Sequence, residues 1–364
     1  MISKIVTLGD VCNKGSSNIA QKDLVDRDGI YPIYGAAGYI KNVDFAHQDK
    51  PYLAVVKDGA GIGRVMKLPA NSSIIGTMQY ILPKGNIDID YLYFALQYMN
   101  LSKYFSGSTI PHIYFRDYQK EKLPLPELSE QQGKAYVLLR IEQLIECYRQ
   151  QLTKLDELVK SRFIELFGDA FEHTKLTIGD ISEESTVGIA NSATHAYSDS
   201  GVVLLRNQNI RVNSLDDSDL IYITEEFASN YKNKALKAND ILVTRTGANV
   251  GMACIVPSKY EGCQTFTTLI LRLKKNVRIS PVFVCHYINS PLGKQFIDDK
   301  KVGGAQPNFG AKQLATMPII IPVAELQSQF EMLVEQTDKS KLAVQKTLEK
   351  LETLKKSLMQ QYFG

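Results

Sequence analysis

The sequence predicts an α+β protein made of two copies of one unit, each a mixed domain of strands and helices closed by a long helix. Three observations carry this. Residues 152–168 (LTKLDELVKSRFIELFG) recur as residues 348–364 (LEKLETLKKSLMQQYFG), with eight of seventeen positions identical at an offset of 196. The same offset runs back through Gln131/Gln327, Pro126/Pro322 and Pro111/Pro307 to Gly107/Gly303. A repeat this long is a duplicated domain and not a short solenoid motif. In each copy the end of the repeat carries apolar residues at helical spacing. The stretch between 1 and 126 instead reads as short apolar runs separated by glycine and proline.

Taken in order, residues 52–56 (YLAVV), 64–68 (RVMKL) and 78–82 (MQYIL) read as strands. They are bounded by the glycine-rich 58–63 (DGAGIG) and by Pro69-Ala70-Asn71. Residues 90–99 read as a helix capped by Asp88 or Asp90. Pro124 and Pro126 close the first domain, 1–126. The central helix, 127–168, then steps by threes and fours through Leu138, Ile141, Ile145, Tyr148, Leu152, Leu155 and Val159, a heptad seam that packs along another long helix. Residues 169–322 repeat the first domain with insertions between 181 and 245. Residues 178–181 (IGDI) match 8–11 (LGDV), and 245–251 (RTGANVG) match 57–63. The last helix, 323–364, keeps the seam at Val344, Leu348, Leu351 and Leu358, while Lys341 and Lys355 interrupt it.

Composition bounds function. The 364 residues suffice for two domains with cores, and 44% apolar with 22% charged residues is ordinary for a soluble globular chain. No apolar run is long enough for a membrane span, and the first residues lack the shape of a signal peptide. Five cysteines, Cys12, Cys147, Cys254, Cys263 and Cys285, form no CxxC pair and read as reduced thiols of a cytoplasmic protein. The five histidines show no metal-ligand spacing, so no metal site is expected. A net charge of +3 is too small for a protein that holds DNA by charge alone. No catalytic residues are assigned. The chain lacks a GxxxxGK(S/T) phosphate loop, an Asn/Asp-Pro-Pro-aromatic tetrapeptide and a nuclease-like Pro-Asp with a downstream Glu-x-Lys. Asp298-Asp299-Lys300 reads as a solvated helix end.

Two groups of polar residues remain as candidates for contact with DNA. Lys57, Arg64, Arg245 and Asn249 flank or lie in the glycine-rich turns, where a basic side chain is placed for phosphate or guanine. The glycines themselves are better explained by a tight turn than by a phosphate cradle. Arg206, Asn207, Gln208 and Asn209 bring four hydrogen-bonding side chains together after an apolar strand, with Arg suited to guanine and Asn or Gln to adenine. Tyr34 and His112 complete the candidates; Asn308 stands where His112 does in the second copy.

These stretches carry a resemblance. Residues 29–38 (GIYPIYGAAG), 56–64 (VKDGAGIGR) with 245–251, 205–210 (LRNQNI), and 107–113 (GSTIPHI) leading to 125–131 (LPELSEQ) resemble, over the whole chain, the specificity subunits of type I restriction-modification systems. The second copy departs at 322–327 (PVAELQ), where the Glu-Gln pair is lost. The resemblance implies two target-recognition domains, each reading one half of a bipartite double-stranded DNA site. It implies that the two long helices pair antiparallel, separate the domains, set the spacing and dock two methyltransferase subunits. Two restriction subunits join where the system has them. It implies no cofactor on this chain, with S-adenosylmethionine, ATP and magnesium held by partners, and no contact with membranes. Some thirty helical residues span about 50 Å, enough to bridge half-sites roughly 34 Å apart. The reading from another class is a twin-domain scaffold that binds proteins and not DNA.

Overall fold

The computed structural model describes residues 4–107, 111–183, 185–190, 193–303 and 307–364; residues 108–110 of the GSTIPHI stretch lie outside them. The chain divides into two units, Met1–Gln150 with Val344–Gly364, and Gln151–Ala343.

In unit 1 a four-stranded antiparallel sheet has the order Cys12–Ser16, Met78–Pro83, Tyr52–Val56, Val65–Leu68. Tyr52–Val56 is buried on both faces, which is why it reads as an unbroken apolar run. A second sheet places Tyr31–Gly35 antiparallel to Gly38–Val43 and parallel to Ser73–Ile74. Helix Ile89–Met99 covers the first sheet, and its N-cap is Asp88, whose carboxylate accepts from the amides of Asp90 and Tyr91. Lys4–Thr7 pairs with Lys122–Leu125.

Unit 2 repeats the plan strand for strand. Thr186–Val187, Leu269–Leu271, Ile241–Val243 and Ala253–Ile255 stand in the same order. Val202–Arg206 again runs parallel to one neighbour, Gln264–Phe266, and antiparallel to another, Ile221–Ile223. The insertion supplies a small hairpin, Ile210–Arg211 with Ser214–Leu215. Asn213, in the left-handed conformation at its tip, pins this hairpin to helix Pro281–Asn289. Its side-chain oxygen accepts from Asn289 Nδ2 at 2.6 Å, and its amide lies 3.2 Å from His286 Nδ1. Burial, reinforced by the Lys341 charge, holds the His286 imidazole neutral, its pKa down to about 4. The short helices Leu8–Val11 and Ile178–Ile181 begin alike, with Asp10 and Asp180 each accepting from the amide of the preceding threonine, Thr7 or Thr177, at 2.8 Å.

The two long helices are Leu128–Phe167 and Ala324–Phe363, 40 residues each, within a residue of the predicted bounds. Every predicted seam residue is buried or half-buried: Leu138, Ile141, Ile145, Tyr148, Leu152, Leu155 and Val159 on the first, Val344, Leu348, Leu351 and Leu358 on the second. Within unit 1, Lys355 pairs with Glu142 at 2.6 Å and Arg149 with Glu352 at 2.8 Å. Within unit 2, Lys341 pairs with Asp156 at 2.6 Å, and Phe163 packs on Phe330. In both units one helix ascends in number as the other descends, so the pairing is antiparallel. The seam interruptions Lys341 and Lys355 are thus cross-helix ion pairs, the kind of polar seam contact that fixes register.

Each long helix starts on a buried glutamine. Gln131 Nε2 donates to the carbonyls of Pro126 and Asn86, and its Oε1 accepts from Asp88 N at 2.9 Å. Gln327 does the same with Pro322, Arg278 and Ser280 N. Of the Glu-Gln pair at this position the second copy has lost the glutamate, while the glutamine that performs the clamping is kept.

Candidate nucleic-acid interface

The glycine-rich turns are built by the same backbone frame in both units. In unit 1, Gly59 N donates to Pro111 O, Gly63 N to Val56 O, Arg64 N to Gly61 O, and Ile113 N to Lys57 O. In unit 2, Gly247 N donates to Pro307 O, Gly251 N to Thr244 O, Met252 N to Asn249 O, and Phe309 N to Arg245 O. His112 and Asn308 occupy the same place, each bridged to two strands: His112 to Asp58 and Ser106, Asn308 to Thr246 and Val302. The glycine positions follow from geometry. Gly63 has φ +79°, and a Cβ there would lie 2.5 Å from Ser102 N. With the amides of Gly59, Gly63 and Arg64 spent on these internal bonds, the loop is a turn and not a phosphate cradle.

On this frame the side chains differ. In unit 1, Lys57 and His112 come together around Asp58: His112 Nδ1 is 2.6 Å from Asp58 Oδ1, and Lys57 Nζ is 3.8 Å from Oδ2. Arg64 donates to the carbonyl of Ala36, bracing the turn between Tyr31–Gly35 and Gly38–Val43. Tyr34 is half-buried against the core cluster around Tyr52, and the ring it meets edge-on at 6.1 Å, Tyr39, is the exposed one. Sequence reasoning passed over Tyr39, as it did Lys14, Tyr114 and Arg116. The last three, with Ser16 and Lys57, line a cleft of about 300 Å³ beside the turn. Lysine and arginine in separate, unmotivated stretches carry no signal until the fold brings them together.

In unit 2 the structure brings the Arg206–Asn209 stretch to the Arg245–Gly251 turn, with Asn207 Nδ2 3.3 Å from Thr246 Oγ1. Arg245 Nε donates to Asn308 Oδ1 at 3.2 Å. One carboxylate organises the stretch: Asp219 Oδ2 accepts from Arg206 at 2.9 Å and from Gln208 at 2.7 Å. Asn209 is different from its neighbours. It is 2% exposed, its Nδ2 donates to the carbonyls of Asp216 and Asp219, and its Oδ1 accepts from Arg206 N. Its polar atoms shape the loop, so it does not present them to a ligand. Asn249 is exposed, and its carbonyl accepts from Met252 N. The other cations here are neutralised locally, Arg211 by Asp216 and Lys259 by Asp217. Hydrogen bonds, from Ser218 to Asp216 and from Lys259 to Asp217, hold both carboxyls below the usual range.

Among the described residues no cluster of three or more His, Cys, Asp or Glu is placed to hold a metal ion, and no helix is long and apolar enough to cross a membrane. All five cysteines are free, and Cys12, Cys254 and Cys285 are buried.

Comparison with known proteins fits this duplicated frame. A family model, described as the type I restriction modification DNA specificity domain, matches residues 3–157 and again 172–354. The MjaVIII type I restriction enzyme specificity subunit of Methanocaldococcus jannaschii is 24% identical over 322 residues, 83% of this chain and 76% of that one. The EcoBI specificity subunit of Escherichia coli is 25% identical over 296 residues, covering 71% of this chain and 61% of that one. Among solved structures, the S subunit of a type I restriction-modification system from M. genitalium superposes with a TM-score of 0.64 at 14% identity, over 99% of this chain and 96% of that one. A chain from a study of type I R-M complex assembly gives 0.53 at 13%, over 99% and 97%. These two show a shared fold. With two copies of the family domain accounting for nearly its whole length, this chain belongs to the type I restriction-modification DNA specificity family and is a non-catalytic specificity subunit.

Proposed function

We propose that each unit reads one half of a bipartite site on double-stranded DNA through the side chains carried on its glycine turn and the strand end beside it. The observation that carries this reading is the repeated frame: His112 and Asn308 are held by the same bridges, yet unit 1 offers Lys57 and His112 where unit 2 offers Arg245 and Asn308. A constant scaffold with changed side chains suits one task performed on two different sequences. In unit 2 the readers are Arg206, Asn207, Gln208 and Arg245, with Asn249 on the turn; Asp219 preorganises Arg206 and Gln208 before contact. In unit 1 they are Lys57, Arg64 and His112, with Tyr34 behind them. The long helices set the spacing of the half-sites and dock two methyltransferase subunits, which hold S-adenosylmethionine and flip the target adenine. Restriction subunits, where present, bring ATP and magnesium. The assembly works in the cytoplasm.

Substituting Arg206→Ala and Asn207→Ala in the assembled complex tests the reading. A good bidentate base contact discriminates by about 1–3 kcal/mol, so sequencing of methylated sites is expected to show one or two positions relaxed within a single half-site. An unaltered motif would count against these residues as readers.

A further inference from the structure

We infer that the cleft in unit 1 lined by Lys14, Lys57, Tyr114 and Arg116 is a clamp for a DNA backbone phosphate, and so positions the duplex without reading it. This rests on the specificity reading above and adds a site to it.

Three cations from distant parts of the chain meet here. Lys14 lies exposed on Cys12–Ser16, Lys57 ends Tyr52–Val56, and Arg116 sits on the short helix Phe115–Tyr118. The cleft holds about 300 Å³ and also presents the Ser16 side chain. The guanidinium is held flat: Arg116 Cζ lies 4.8 Å from the ring of Tyr114, which is itself stacked on His112 at 6.4 Å and 24°. Stacking fixes the plane of an arginine and leaves its N–H edge open, the arrangement suited to bidentate phosphate contact.

The carboxylates nearby do not cancel this charge. Asp58 is engaged by His112 at 2.6 Å and stands 3.8 Å from Lys57; Asp117 lies 3.5 Å from Arg116 Nε, where that side chain remains 77% exposed. Lys14 makes no ion pair among the described residues. Unit 2 is the contrast. There Arg206, Arg211 and Lys259 each meet a carboxylate within 3 Å, which leaves donors oriented but little net charge. At the repeat offset Lys312 replaces Arg116 and Gly310 replaces Tyr114, so unit 2 keeps a charge but not the stack. A charged cleft with no matched acceptors attracts a phosphodiester; a neutral, pinned donor set suits base edges.

The test uses the chain assembled with its methyltransferase and a duplex carrying the methylated sequence. Affinity is measured across salt for wild type, the K14A/R116A double variant, Y114A and R116K. Each lost phosphate contact reduces the salt slope by about 0.9. The advantage of wild type over the double variant should therefore shrink about ten-fold between roughly 50 and 200 mM salt. Y114A should weaken binding, R116K should keep most of the slope, and the methylated motif should stay the same in all. A slope unchanged in the double variant overturns the clamp. So does a motif altered in one half, which would make these residues base readers. If the wild-type complex shows no preference for its own sequence, the specificity reading fails and takes the clamp with it.

Discussion

Exchange of residues 151–343 for the corresponding stretch of another family member is expected to replace one half of the recognised DNA sequence and leave the other half untouched. The boundaries follow from packing. Phe163 and Phe167 at the end of the first long helix, and Phe330 near the start of the second, surround Phe283 in a single aromatic core, at centroid distances of 4.9–5.7 Å. A graft confined to 169–322 would import a foreign partner for these host rings. Mismatched cores cost about 1–3 kcal/mol when overpacked and more when a cavity is left. The larger graft moves the core with its readers. Mapping methylation in cells carrying the graft checks the expectation; a change in both halves would show that the units do not read independently.

The second large effect is on stability, and it comes from the far end of the chain. Phe363 is 7% exposed and packs in unit 1 against Tyr91 and Tyr98, at 5.0 and 6.1 Å. Met359 joins the same cluster as Leu138 and Phe94, and Tyr98 donates to Gln360 at 2.8 Å. Phe363→Ala should therefore cost unit 1 roughly 3 kcal/mol or more, although 213 residues separate Gln150 from that position. Hydrogen exchange should speed up in helix Ile89–Met99 and remain slow in helix Pro281–Asn289. The reverse pattern, or no change, would mean that the final turns of the last helix do not complete unit 1.

The heptad seam was legible because a three-four step survives any solvent-facing variation between its members, and the duplicated Phe167 and Phe363 mark the ring that plugs each unit. Where those rings go was not legible. Both are non-local contacts, and sequence periodicity carries no information about partners hundreds of residues away. Lys341 and Lys355 look like defects in a seam until Asp156 and Glu142 face them. The glycine turn could be read from composition, since positive φ leaves glycine as the favoured residue. The polar stretch after Val202–Arg206 misled in one place: Asn209 has a surface residue's chemistry but fills a buried loop, because its amide satisfies carbonyls that the inserted turn would leave unpaired. Tyr114 and Arg116 escaped notice because only the fold aligns their planes.

The central claim is that one chain supplies two separate readers to catalysts it does not contain. Single-molecule sequencing of genomic DNA, from cells expressing this chain with its methyltransferase, tests it most directly. The account predicts methyl-adenine at a motif of two specified segments flanking a fixed run of unspecified bases, absent when this chain is omitted. A continuous motif without that gap, or methylation that persists without the chain, would contradict it.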